Sequence, residues 1–180
     1  MNNRIYKGKR LCTSLSDYCV VDIETTGLSP AFCKIIEISA IKVRNKEIVS
    51  TFSMLINPHT KLDSFIIALT GIDDKMLQEA PEIEDVLVQF LSFVGNDIIL
   101  GHNVNFDINF LYDNILNYLG EYFTNDFIDT MYIARRVLSL PHNRLDDLVK
   151  YFNITARDKH RALNDCDLTY KVYLNLEKYL

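Results

Sequence analysis

Two hydrophobic periods alternate along the chain. Tyr18-Cys19-Val20-Val21 is an unbroken apolar run, too short for a helix and rich in β-formers, and predicts a buried strand. Lys34–Val43, dense in Ile and Val, predicts a second strand. Asn45-Lys46 suits a hairpin turn into a third, Ile48–Ile56, which Asn57-Pro58 ends. Beyond this meander the spacing lengthens to three and four residues. Short helices are expected at Ser64–Leu69 and from Asp73-Asp74 to Glu79. A longer one follows Pro81, where Ile83, Val86, Leu87, Phe90, Leu91 and Val94 share one face as far as Gly95. Ile98–Leu100 reads as a buried strand. Asn103 or Asn105 can cap a helix whose core-facing stripe is Phe106, Phe110, Leu111, Ile115, Tyr118 and Leu119. Phe127-Ile128 predicts a last short strand, and helices are expected at Thr130–Leu138, Leu145–Phe152 and Ala162–Leu180.

Strands come first, and strands alternating with helices follow, which predicts an α/β fold with helices packed on a mixed sheet. No repeat or linker interrupts the pattern. The 180 residues suit one domain, residues 18–180, behind an irregular N-terminal tail, residues 1–17. The chain is 48% hydrophobic and 24% charged, and no apolar stretch approaches the roughly 20 residues of a membrane-spanning helix. Arg4, Lys7, Lys9 and Arg10 in the tail are not followed by the apolar core of a signal peptide. Four cysteines show no CxxC or zinc-ligand spacing and read as reduced thiols, so a cytoplasmic protein without membrane contact is expected. The net charge of −5 argues against a protein that grips a long duplex. Met131 to Arg161 nevertheless carries seven Lys and Arg against three Asp and Glu, so any phosphate-facing surface is expected to be small and built partly there.

Candidate chemistry begins where the first strand ends. Residues i and i+2 of a strand face the same side, so Asp22 and Glu24 present two carboxylates together. Thr25-Thr26-Gly27 then forms a turn in which Gly27 is free to take a positive φ. Two carboxylates this close repel, and a bound cation allows both to ionise. Asp107 follows a predicted strand by a short loop and lies in the first turn of a helix. It can therefore share the crevice outside the carboxyl ends of the strands. In His160-Arg161-Ala162-Leu163-Asn164-Asp165 the five-residue separation would put His160 and Asp165 on different sides of one helix. The histidine is thus placed in the loop before the helix and Asp165 in its first turn, from where both can reach one point. Taken singly, each residue has an ordinary structural explanation, such as an acid favoured by a helix dipole or a solvated histidine.

Taken in order, DIETTG (Asp22–Gly27), GHNVNFDINFL (Gly101–Leu111) and HRALNDC (His160–Cys166) resemble the three motifs of the DEDDh 3′–5′ exonucleases. This group includes the proofreading epsilon subunit of bacterial DNA polymerase III and the exonuclease domain of the PolC-type polymerases. The segments LTGI, MLQEAP, IDTMYIAR and LDDL between the motifs are similar to that group as well, so the resemblance runs from about Tyr18 to Leu180. It implies a ribonuclease-H-like fold, a five-stranded mixed sheet flanked by helices. It implies that Asp22, Glu24, Asp107 and Asp165 hold two Mg²⁺ or Mn²⁺ ions, as an all-carboxylate set suits hard cations, and that His160 is the general base. Thr25, Thr26, Gly27 and Leu28 are expected against the 3′-terminal nucleotide, with Leu69 and Thr70 nearby. His102 and Asn103 are expected to brace a loop, Asp129 to support the fold, and Glu37 to make a buried hydrogen bond. The expected substrate is a single-stranded or frayed DNA 3′ end, and a replicative polymerase subunit is an expected partner. The motifs do not separate DNA from RNA ends, and an inactive scaffold of a replication assembly is the reading from another class.

Overall fold

The computed structural model describes residues 4–155 and 161–180. Its single sheet has the order β1-β6-β5-β2-β3-β4. The strands are β1 (Arg10–Leu11), β2 (Tyr18–Thr25), β3 (Ile35–Arg44), β4 (Glu47–Leu55), β5 (Ile99–Gly101) and β6 (Phe127–Asp129). β2, β3 and β4 form the expected antiparallel meander, while β1, β6, β5 and β2 run parallel. The hairpin turn between β3 and β4 is Asn45-Lys46, with φ of 51° and 65°. Two consecutive positive φ values are what a two-residue turn needs to match strand twist.

Among the described residues six strands are present where five were expected. The additional one is β1, within the stretch read as an irregular tail. Two residues carry no period, so the pairing of Arg10 with Phe127 and Leu11 with Ile128 had no local signal. Around it, Lys9 N–H donates to Asp126 Oδ1 at 2.7 Å, and Phe127 N–H donates to Lys9 O at 2.9 Å. Gly8 passes so close to the Asn125 backbone that an added Cβ would lie 1.9 Å from its carbonyl oxygen. Arg4 reaches the buried Asp113 carboxylate, with Nε 2.9 Å from Oδ1, and the Tyr6 and Tyr122 ring centroids lie 4.6 Å apart.

The helices are α1 (Ser64–Thr70), α2 (Asp74–Gln78), α3 (Ile83–Val94), α4 (Asn105–Leu119), α5 (Thr130–Val137), α6 (Leu145–Tyr151) and α7 (Ala162–Leu176). A 3₁₀ turn, Glu177–Tyr179, replaces the last turn expected of α7. Strand alternation splits the core. Cys19, Val21 and Ile23 pack with α3 and α4 on one face; Tyr18 and Val20 pack with α5, α6 and α7 on the other. A smaller cluster of Ile36, Leu62, Ile66, Ile72 and Leu77 sits under α1 and α2. No helix among the described residues is long and apolar enough to cross a membrane.

Candidate active site

The alternation that divides the core also builds the site. On β2 the even positions face α7, so after Tyr18 and Val20 come Asp22 and Glu24. In the β2–β3 register Asp22 lies opposite Ser39 and Glu24 opposite Glu37. The carboxyl end of β2 therefore exchanges an apolar face for a polar one. Directly opposite residues share a face, so Glu37 is beside the pair, and it is 1% exposed.

Two elements bring the other acids in. Asp165 lies in the first turn of α7, which packs over β2 and β3. Ligand atoms of Asp22, Glu24 and Asp165 all lie within 4.8 Å of one another. Asp107 arrives from α4, on the other face of the sheet. β5 stops at Gly101, so the Ile23 N–H on that edge of β2 lacks a strand partner, and Asp107 Oδ1 accepts it at 3.1 Å. Asp107 lines the same cleft of about 250 Å³ as Asp22, Ile23, Glu24, Leu69, His102, Asn103, Phe106 and Asp165. His160 lies outside the described residues.

The turn after β2 is shaped by its own side chains. Thr25 Oγ1 donates to Gly27 O at 2.7 Å, and Thr26 Oγ1 accepts the Lys34 N–H at 2.9 Å. Gly27 does not adopt the positive φ expected of it. It is needed for room instead, since a Cβ there would lie 2.7 Å from Cys33 Sγ. Leu28 projects into solvent at 86% exposure. Of the α1 pair, Leu69 lines the cleft. Thr70 is buried and its hydroxyl is committed, donating to Ile66 O at 2.9 Å and accepting from Ile72 N–H at 3.1 Å.

The loop between β5 and α4 is braced from β6. Asp129 Oδ1 accepts N–H bonds from Asn103 at 3.0 Å and from Met131 and Tyr132 at the start of α5. Neither Asn103 nor Asn105 caps α4. Asn103 sits in the left-handed region with φ 57°, and Asn105 Oδ1 accepts from Lys7 Nζ at 2.7 Å. His102 Nδ1 is 2.9 Å from Thr130 Oγ1, whose own proton goes to Gly101 O at 3.1 Å. The imidazole is therefore the donor in that pair. Phe106, expected among core residues, is only half-buried; it packs on Phe110 at 4.9 Å and faces the cleft. Helical spacing could not reveal this, because the first turn of a helix projects past the sheet that buries the later turns.

Burial pushes the Asp22 carboxyl well above the usual range, and the nearby charges of Asp107, Glu24 and Asp165 add to it. Burial likewise raises Glu24 to about 7, with Asp165 and Glu37 contributing and Arg161 opposing. Asp107 rises to about 8, burial outweighing the Ile23 hydrogen bond. Burial drives His102 down to about 4. Crowded, buried carboxylates with only oxygen to offer are the donor set of a hard divalent cation, and the residues present fit one.

Residues 19–173 match the RNase_T exonuclease family. A curated relative, the PolC-type DNA polymerase III of Caldanaerobacter subterraneus subsp. tengcongensis, is 38% identical over 173 residues, covering 96% of this chain and 12% of that protein. The chain thus spans about one eighth of the length of that relative. Among solved structures, exonuclease X in complex with 5′-overhanging duplex DNA is 26% identical with a TM-score of 0.74, over 89% of this chain and 91% of that one. Exonuclease I of E. coli in complex with a dT13 oligonucleotide shares the fold, with a TM-score of 0.80 at 19% identity, over 92% of this chain and 42% of that one.

Proposed function

Because the chain belongs to the RNase_T exonuclease family, we propose that it releases nucleoside monophosphates from single-stranded or frayed DNA 3′ ends. The observation that carries this reading is the meeting of Asp22, Glu24 and Asp165 within 4.8 Å, with Asp107 in the same cleft. These four acids would hold two Mg²⁺ or Mn²⁺ ions, which when bound supply positive charge and water activation at the scissile phosphate. His160 takes the proton of the attacking water, as an imidazole titrating near neutrality can. His102 is poorly suited to act as that base, because burial depresses its pKa to about 4 and its Nδ1 proton is given to Thr130. Leu69 and Phe106 offer apolar walls for the terminal base, while Gly27 and Leu28 lie at the turn beside it. The hydroxyls of Thr25 and Thr26 act by shaping that turn, and Thr70 by closing α1. Residues 18–180, together with the N-terminal segment whose β1 pairs with β6, work as one exonuclease domain. Similarity to PolC-type polymerases supports a proofreading role beside a replicative polymerase.

The test is hydrolysis of 3′-labelled single-stranded DNA, mispaired duplex and RNA, with Mg²⁺ and with chelator. Mononucleotide release from DNA that stops with chelator is expected. Equal or faster cleavage of RNA would replace the DNA assignment, and internal cuts in a 3′-blocked strand would indicate an endonuclease. His160→Ala is expected to slow the reaction about 10²–10⁴-fold near neutral pH while metal binding persists. An unchanged pH–rate profile in that variant removes His160 as the base.

A further inference from the structure

Glu37 is a buried carboxylate beside the acidic cluster but outside it. Its Oε1 accepts from Arg161 Nη2 at 3.0 Å and from Ser53 Oγ at 3.3 Å. Its Oε2 accepts from Arg161 Nε and from the Ala162 backbone N–H, each at 3.4 Å. A planar guanidinium meets a carboxylate with two prongs, which fixes orientation as well as distance. Arg161 is the residue before α7, and its carbonyl accepts the N–H groups of Asn164 at 2.9 Å and Asp165 at 3.1 Å. One residue further, Cys166 Sγ donates to Ser39 O at 3.5 Å. Asp165 is thus bracketed between two attachments to β3.

We propose that Glu37 is a positioning residue: through Arg161 and the Ala162 amide it sets the rotation of the first turn of α7, and so the reach of Asp165 toward Asp22 and Glu24. This rests on the exonuclease reading of the cluster. A slip of one residue about α7 would swing Asp165 by about 100° and out of the cleft. Both oxygens of Glu37 are engaged by α7 and β4, so the residue does not serve as a further ligand. Only the Glu37 end of this ion pair is buried, the Arg161 side chain being 43% exposed, and desolvation of the carboxylate offsets much of the attraction; the gain here is geometric. Arg161 also supplies the positive charge that lets Glu37 sit opposite Glu24.

The experiment compares wild type with Arg161→Ala, Arg161→Lys and Glu37→Gln, each checked for folding by circular dichroism. Three readouts are taken: hydrogen exchange of the first turn of α7 without metal, Mn²⁺ affinity by calorimetry, and kcat and KM on single-stranded DNA. Arg161→Ala and Glu37→Gln are expected to exchange faster in that turn and to bind Mn²⁺ about 10–100-fold more weakly. Their kcat falls by a similar factor while KM stays within about twofold, and Arg161→Lys recovers part of the loss. Unchanged exchange and affinity in both variants would overturn the proposal, as would a change in KM alone, which would make Arg161 a direct contact to nucleic acid. Loss of Mn²⁺ binding in Glu37→Gln with Arg161→Ala unaffected would make Glu37 a ligand and overturn it too. Should Glu37→Gln not fold, the two Arg161 variants decide. A wild-type protein that neither binds Mn²⁺ nor releases nucleotides overturns the exonuclease reading itself; an active wild type matched by all three variants overturns only the positioning role.

Discussion

Burial raises the carboxyls of Asp22, Glu24 and Asp107 because it costs the charged form more than the neutral one. The unfolded chain releases these protons near pH 4, while the metal-free native state keeps them until about 7 at Glu24 and about 8 at Asp107. Between those limits the native state binds more protons, so its stability falls as pH rises. The metal-free protein is therefore expected to lose Tm steadily from pH 5 to 8. Mg²⁺ is expected to restore it most at the higher pH. A flat Tm profile without metal would contradict the electrostatics of the cluster. Asp22→Asn removes one of the repelling charges, so it is expected to abolish nucleotide release yet raise the metal-free Tm at pH 8. A lower Tm would show the carboxylate to be stabilising. The pairing of Asp22 with Glu24 was legible from a spacing of two residues, and Asp107 and Asp165 from their places at helix starts. The partner of Glu37 was not, because Arg161 is 124 residues away in sequence and no local period connects them.

At the level of elements, β2, β3 and the helices α3 and α4 follow from period and apolar density, since each buries a face, while the largely exposed edge strand β4 follows from the hairpin turn that leads into it. The exceptions are pieces too short to have a period or decided by a distant contact. β1 has two residues and is held by β6; Asn103 gave up capping because Asp129, beyond α4, fixes its backbone instead. The close approach of Gly8 to Asn125 makes β1 testable. Gly8→Ala is expected to pry the N-terminal segment from the edge of β6 and lower stability by about 1–3 kcal/mol, read as a drop in Tm. Arg4→Ala, which leaves the buried Asp113 carboxylate without its guanidinium, is expected to cost about 1–2 kcal/mol, most of it at low salt. Neither change touches the cleft, so kcat at a temperature where both variants are folded should equal that of wild type.

Across the whole molecule, the site lies at the end of the sheet and draws on both of its faces, Asp107 from the α4 side and Asp165 from the α7 side. Relative movement of those two layers would therefore alter the acid cluster before it altered the core. The net charge of −5 limits how many phosphates the protein can neutralise by itself. Binding of single-stranded DNA should weaken only about tenfold between 50 and 200 mM salt, the slope of two or three phosphate contacts. A loss of a thousandfold would point to a longer track along the basic stretch from Met131 to Arg161. The pairing of β1 with β6 also has a consequence in time. Lys9 and Asp126, which it joins, are 117 residues apart. At a synthesis rate of about 5–20 residues per second, the first strand waits roughly 6–23 s for its partner to be made. Such a contact closes late, after the loop entropy has been met by the rest of the sheet. Gly8→Ala should accordingly speed unfolding and leave the refolding rate alone. Once β6 is made and until β1 closes on it, its open edge is three residues long, which leaves a passing strand little to pair with.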